Sequence, residues 1–397
     1  MKTVGIICEY NPFHLGHAYQ IEQIRAQERD VAIVCLMSGH ATQRGALAVA
    51  DKFTRAEMAL SCGADVVLEL PYPYSAASAA YFAGAGVAIL DALGVDELCF
   101  GSECADLALL DRTAAVTRST DFIAHVSARQ KRGEGSAQAF FAELRLCPEI
   151  PDVTFLANDI LALEYVRALR AIDSTVRPVP ILRRGSAYRD AEITAGEYPS
   201  AAALRTQLSV GKLHEAFKFV PKQARKAFEQ AVLSGFAPLR QDPWDAAALS
   251  FFRSRDPDAL ADIAEMQGGL AHRLCTAARE NITFSDMLAA ASAKSYPTAR
   301  LRRAVLYGMT GVTVGDLQTP PAYLSLLGAT AAGRGLLRVW KQTSPIPIVS
   351  KFGDAAALSP AAARQAALAL SLDAFFTLAL PTPRAADSLV KLPPRMR

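Results

Sequence analysis

Over the first 105 residues, short unbroken apolar runs alternate with segments whose apolar positions recur every three or four residues. Val4 to Cys8, Val31 to Met37, Val66 to Leu70 and Glu97 to Phe100 are the runs. Each has the length of a strand, and Val4 to Cys8 the unbroken apolar character of one buried on both faces. Between them, the spacing predicts a helix that starts near Gly16 or His17 and faces inward at Ile21 and Ile24, another over Lys52 to Cys62, and a long one rich in small residues over Ala76 to Leu93. Strand and helix in alternation imply a parallel sheet with helices on both faces. Residues 106 to 172 read as helices broken near Pro148 and Pro151. Val179 to Leu182 reads as one more strand, and Pro199-Ser200 opens a helix that runs through Leu208 with Ser200 as its N-cap. Beyond Pro221 helical patterns dominate, Ile346 to Val349 being the one strand candidate, and the Ala- and Leu-rich stretch 355 to 380 reads as packed helices. The fold predicted is α/β. A Rossmann-like parallel-sheet domain over 1–220 precedes a mainly α-helical domain over 221–397.

Composition narrows the class. The 397 residues are 51% hydrophobic, enough for two cored domains, and the net charge of +3 leaves any nucleic-acid surface to a local patch. None of the seven cysteines forms a Cys-x-x-Cys pair, which fits free thiols in a reducing cytoplasm. The chain enters a strand at once, unlike a signal peptide, and no apolar run is long enough to span a membrane.

Ligands in such sheets bind beyond the carboxyl ends of the strands. Here those ends are Glu9 to His17, Ser38 to Gly45 and Gly101 to Glu103. His14 and His17 stand three apart at the mouth of the first helix, with Gly16 between them. Free amides of a first helical turn attract an anion, and two imidazoles add donors without a fixed charge. A triphosphate fits that mouth. Zinc does not, because no third ligand stands at a metal-like spacing. In the second segment Ser38, Gln43, Arg44 and, further on, Lys52 offer donors to phosphate or carboxylate oxygens. In the third, Ser200 at a helix start and Arg205 one turn in can face the same phosphates. Asn158 can cap a helix or meet an adenine edge, and Arg183 and Arg184 close the last strand.

His14-Leu15-Gly16-His17 with Ser200 to Arg205 resembles the two motifs of the HIGH nucleotidyltransferases. The longer set is Glu9 to His17, Met37-Ser38-Gly39, Gln43-Arg44-Gly45, Phe100-Gly101-Ser102-Glu103, Asn158 with Glu164-Tyr165, and Arg183 with Tyr188. It resembles the tRNA(Met) cytidine acetate ligase family. The chain departs from that pattern at His40 and Ala41 (Asn and Phe expected), at Ala46 (an acid) and at Ser295 and Ser325 (bases).

The resemblance implies a cytoplasmic enzyme that activates acetate with ATP, Mg²⁺ riding on the phosphates, and acetylates the wobble cytidine of elongator tRNA(Met). Carried over by position, ATP would meet Ile7, Cys8, Glu9, Tyr10, Asn11, Pro12, Phe13, His14, Leu15, Gly16, His17, Ala18, Tyr19, Gln20, Gly101, Asn158, Arg183 and Arg184. His14, His17, Ser200 and Arg205 would carry the chemistry. Ser38, Gln43, Arg44 and Lys52 would serve the acetate and its loop. In the helical half, Lys294, Arg300, Arg302 and Arg303 fall within ten residues and are the candidate tRNA patch. Two other classes stay open on the sequence: an adenylyltransferase for a small phosphate or carboxylate metabolite, and a non-catalytic nucleotide- or RNA-binding protein.

Overall fold

The computed structural model describes residues 1–28, 30–150, 154–183 and 200–397. The first half builds β1 (Lys2–Cys8), α1 (Leu15–Gln27), β2 (Val31–Ser38), α2 (Lys52–Ser61), β3 (Val66–Leu70), α3 (Ala79–Ala92) and β4 (Glu97–Ser102). Helices α4 (Leu107–Thr117), α5 (Thr120–Lys131), α6 (Ser136–Leu144) and α7 (Ala157–Ala171) follow, then β5 (Arg177–Leu182) and α8 (Ala201–Ser209). The strands run where the apolar runs predict. Helix α3 starts later than expected, because Tyr74–Ala76 forms a separate short 3-10 turn.

The sheet order is β5-β4-β1-β2-β3, every neighbouring pair parallel. The chain moves outward from β1 through β2 to β3, then returns to the other side of β1 as β4. The order therefore reverses between β1 and β4, and a crevice opens beyond their carboxyl ends at such a reversal.

The second half comprises α9 (Leu213–Phe217), α10 (Lys222–Leu233), α11 (Gln241–Ser254), α12 (Leu270–Glu280), α13 (Phe284–Ala291), α14 (Thr298–Thr310) and α15 (Val314–Gln318). After these come β6 (Leu324–Ala329), α16 (Ala331–Thr343), β7 (Ile348–Val349), α17 (Phe352–Ala355), α18 (Pro360–Leu378) and β8 (Arg395–Met396). Strand β6 corrects the reading of this half as free of strands before residue 346. It pairs antiparallel with β3, Val66 opposite Ala329, and carries β7 and β8 on its other side. Leu-Ser-Leu-Leu-Gly-Ala has no alternation to mark it as a strand, and its partner lies about 260 residues earlier in the chain.

Two apolar layers cover the faces of the sheet. A third core, centred on Trp244, Phe252, Leu274, Tyr307 and Phe376, fills the helical half. That core takes in Ala41, Leu47, Ala48, Tyr72 and Ala76, so the loop after β2 is buried in it. Tyr72 Oη meets Thr310 Oγ1 at 2.5 Å and Tyr307 Oη donates to Ala76 O at 3.0 Å. The helical half thus pins one wall of the ligand edge.

Candidate active site

The His-Leu-Gly-His turn caps its own helix. His14 is the N-cap of α1, and its Nδ1 accepts the Gly16 amide at 3.0 Å; His17 Nδ1 accepts the His14 amide at 3.2 Å. This reciprocal arrangement is a histidine version of the capping box. The rings stack with centroids 3.8 Å apart. Gly16 makes it possible, since a Cβ there would come within 2.9 Å of the His14 ring.

The expectation of open amides at this helix start needs correcting. The Leu15 amide donates to Phe219 O at 2.9 Å and the Gly16 amide is taken by His14. What remains for an anion is the helix dipole and the imidazoles themselves. Burial first, then the positive charges of Arg183 and Arg205, push the His14 imidazole down to about 3. Burial, then His14 and Arg183, hold His17 well below its ordinary value. Both rings are therefore neutral at pH 7. Because each Nδ1 accepts a backbone amide, each proton sits on Nε2. The motif presents two neutral Nε2–H donors.

The rest of the first loop is held from three sides. Asn11 Oδ1 accepts the Val49 amide at 2.8 Å, Glu9 Oε1 accepts the Gln43 amide at 2.8 Å, and Arg205 donates to Asn11 O at 2.8 Å. The last bond brings the downstream motif onto the upstream one across 194 residues. Ser200 caps α8 as predicted, its Oγ accepting the Ala203 amide at 3.1 Å. Tyr10 and Phe13 are fully buried beneath the histidines, Tyr10 at a φ of 47°. Ile7, Ala18 and Pro12 are buried too, while Cys8, Leu15, Tyr19 and Gln20 are half-buried.

Across the crevice, Gly101 is the penultimate residue of β4 and Arg183 follows β5, its amide bonded to Ser102 O at 3.0 Å. Asn158 lies on the first turn of α7 without capping it. Its Nδ2 donates to Glu103 Oε1 at 2.5 Å, and Glu103 Oε2 takes the Asn158 and Asp159 amides. Asp159 returns the contact, accepting Ser102 Oγ and the Glu103 and Cys104 amides. Burial works to raise the Asp159 carboxyl, but these donors outweigh it and hold it below the usual range. Arg184 and Tyr188 lie outside the described residues.

Two of the candidate loop donors are turned inward. Lys52 is buried, its ammonium 3.0 and 2.8 Å from the two oxygens of Glu69. Burial works against the charge, yet Glu69 more than offsets it and the ammonium is held. Ser38 is fully buried, its carbonyl taken by Arg55. Lys52 is thus structural and the Ser38 hydroxyl is buried without a hydrogen-bond partner among the described residues, whereas Gln43 and Arg44 stay half-buried on the loop. Gly45 at the tip has a φ of 71°, and a Cβ there would meet the Arg303 backbone.

Several organising residues escape a reading of the sequence. Arg55, fully buried, donates to the carbonyls of Glu9, Ser38, Gly39 and Ala50 and so ties the loop after β1 to both ends of the loop after β2. Burial, partly offset by Asp51, lowers it only to about 10, so it stays charged. A cation on a helix whose other residues are mostly apolar, with Phe53, Ala56, Met58, Ala59 and Leu60 around it, is the signal that could have found it. His40 is bonded through Nδ1 to Asp373 Oδ1 at 2.5 Å and accepts the Lys52 amide at Nε2, 3.2 Å. A partner 333 residues away leaves no signal at all.

The proposed tRNA patch is also corrected. Arg300 Nε bonds Glu265 Oε2 at 2.9 Å, while Arg303 Nε and a terminal amine bond Glu265 Oε1 at 3.0 and 2.9 Å. Arg303 is buried. One carboxylate on a neighbouring segment consumes both cations, leaving Lys294 and Arg302 exposed.

A parallel sheet with a strand-order reversal, a His-Leu-Gly-His helix mouth beside it and a serine- and arginine-bearing helix bonded to that mouth define a HIGH-type nucleotidyltransferase. A family profile described as HIGH Nucleotidyl Transferase matches residues 1–388. The tRNA(Met) cytidine acetate ligase of Syntrophotalea carbinolica is 36% identical over 362 residues, covering 89% of this chain and 85% of that protein. The protein of the same name from Acetivibrio thermocellus is 33% identical, with 89% of each covered. The crystal structure of apo Thermotoga maritima TmcAL superposes with a TM-score of 0.92 at 27% identity, covering 100% of this chain and 99% of that one. The same Thermotoga protein bound with alpha-thio ATP gives a TM-score of 0.89. The chain belongs to the tRNA(Met) cytidine acetate ligase family.

Proposed function

We propose that this protein activates acetate with ATP and transfers the acetyl group to the exocyclic amine of the wobble cytidine in elongator tRNA(Met). The observation that carries the reading is the pair of neutral Nε2–H donors at the β1/β4 crevice, with Arg183 and Arg205 close enough to depress His14. Such a site stabilises charge growing on phosphate oxygens and supplies no nucleophile of its own.

An acetate oxygen attacks the α-phosphorus of ATP. The α–β bridge breaks, pyrophosphate leaves, and acetyl-adenylate forms. The cytidine amine then attacks the acetyl carbonyl, loses a proton, and AMP departs. Imidazole donors and guanidinium groups hold the nucleotide, and Asn158, anchored by Glu103, stands at the α7 side of the crevice. Mg²⁺ would enter with ATP on phosphate oxygens and water. Among the described residues no group of three or more His, Cys, Asp or Glu is placed to hold a metal, so histidine and arginine are what the chain itself offers the phosphates. The wobble base lies in a single-stranded loop and can be splayed into a pocket without breaking a duplex.

On this reading residues 1–220 form the activating domain, residues 221–397 carry the RNA, and the work is cytoplasmic. Among the described residues no helix is long and apolar enough to cross a membrane. Incubation with ATP, labelled acetate and bulk tRNA tests the reading. Label in RNA without acetyl-coenzyme A is the expected result. Acetate-dependent pyrophosphate release with unlabelled RNA would point instead to a small-molecule acceptor, and neither product would mean a binding protein.

A further inference from the structure

From Leu317 to Gly353 the chain contains no Asp or Glu, yet it carries Arg334, Arg338, Lys341 and Lys351. The first three lie on α16 at i, i+4 and i+7, which places them on one helix face. All are exposed, and among the described residues none has an ion-pair or hydrogen-bond partner for its side chain. The face that flanks this row, on the side of Lys341, buries Leu337 and Trp340 in the core over the sheet.

The direction of the helix matters. It starts where the Thr330 amide meets Asp65 O, at the amino edge of β3. It ends near Pro347, whose carbonyl accepts the Leu324 amide at the opposite edge. The row of cations therefore climbs toward the carboxyl edge that carries His14 and His17. β6 stands three strand spacings from β1, about 14 Å.

The chemistry of the face selects its partner. A rise of 1.5 Å per residue separates Arg334 from Lys341 by about 10 Å, enough to reach more than one phosphate. Beside the cations, on the solvent side, exposed Ala331 and Gly335 let a backbone come close. A protein interface would need an apolar centre, for which α16 exposes only the single large apolar side chain of Val339, and a lipid surface would need the apolar face that the core already occupies.

We infer that the exposed face of α16, through Arg334, Arg338 and Lys341, is the strip on which the tRNA backbone docks. This rests on the ligase reading and relocates the RNA surface from the 294–303 segment, where Glu265 neutralises two of the cations. Such contacts give affinity and orientation without sequence choice.

The test is the triple variant Arg334→Gln, Arg338→Gln, Lys341→Gln in the full chain, with a thermal midpoint matching wild type as the check on folding. Binding of tRNA should weaken about 30-fold or more near physiological salt, and the slope of log affinity against log salt should fall by about two units. The KM for tRNA should rise while kcat changes little, and Arg334→Lys with Arg338→Lys should keep most of the affinity. Wild-type affinity and slope in the triple variant would overturn the strip and leave the ligase reading standing. Failure of the wild-type protein itself to label tRNA would overturn that reading, and the strip with it.

Discussion

Two buried polar clusters sit side by side at the carboxyl edge of the sheet, and they are built to opposite ends. Around His14 and His17, after β1, every backbone demand is met internally while two Nε2–H donors are left over. Around Lys52, after β2, the groups close on one another. Lys52 bonds Glu69, and His40 bridges the Lys52 amide and Asp373. Both stand where a ligand edge is expected, and both are rich in donors. Among the described residues the first leaves two neutral imidazole donors at the crevice, whereas in the second only the buried Ser38 hydroxyl and Asp373 Oδ2 lack a partner. Position at a strand end therefore nominates a residue, but whether its donors are already satisfied decides what it can do.

The largest effect separating the clusters concerns stability. Lys52→Met leaves Glu69 as a buried carboxylate without its partner, at a cost of about 3–5 kcal/mol. Denaturant unfolding would read it. Unchanged stability with lost pyrophosphate exchange would return Lys52 to the ligand groups. Next comes chemistry. His17→Ala should slow acetate-dependent pyrophosphate exchange by roughly 100-fold or more, the size typical of a lost donor to developing charge. An unchanged rate would empty the first cluster of its assigned role.

Acidification should act on the same cluster. An unfolded histidine takes a proton near 6.5, whereas folded His14 does so only near 3. Between those values the unfolded state binds more protons, so stability is lost as pH falls below about 6.5. By about pH 5 the loss from His14 alone is about 2 kcal/mol. The Asp159 and Asp373 carboxyls, both held below their usual range, would add to it at lower pH. A His14→Asn variant should flatten the pH dependence of the unfolding midpoint, and a parallel curve would contradict the assignment. Smallest is Ser200→Ala, which removes the cap of α8 at about 1 kcal/mol. A fall in exchange well beyond that cost would give the hydroxyl a role at the phosphates.

What was legible in the chain was local. Continuous apolar runs, a proline break and a glycine between two histidines disclosed β1 to β5 and the helix mouth. What was not legible depends on partners far away. Glu69 captures Lys52 from the next strand, and Asp373 reaches His40 from the last long helix. Glu265 turns Arg300 and Arg303 from a surface patch into an internal brace. Strand β6 is a strand because β3 offers it an edge. Of the departures from the family pattern, His40 acquires a reason in Asp373. Nothing in the structure explains Ala46.

The central claim is that the site consists of two neutral imidazoles offering Nε2–H to phosphate. Nitrogen-15 histidine spectra of the wild-type protein, followed from about pH 7.5 to about pH 5 with and without ATP, test it most directly. The account predicts two rings that keep the Nε2–H tautomer throughout that range and shift when ATP is added. Either ring titrating near 6.5, or both unmoved by ATP, would contradict it.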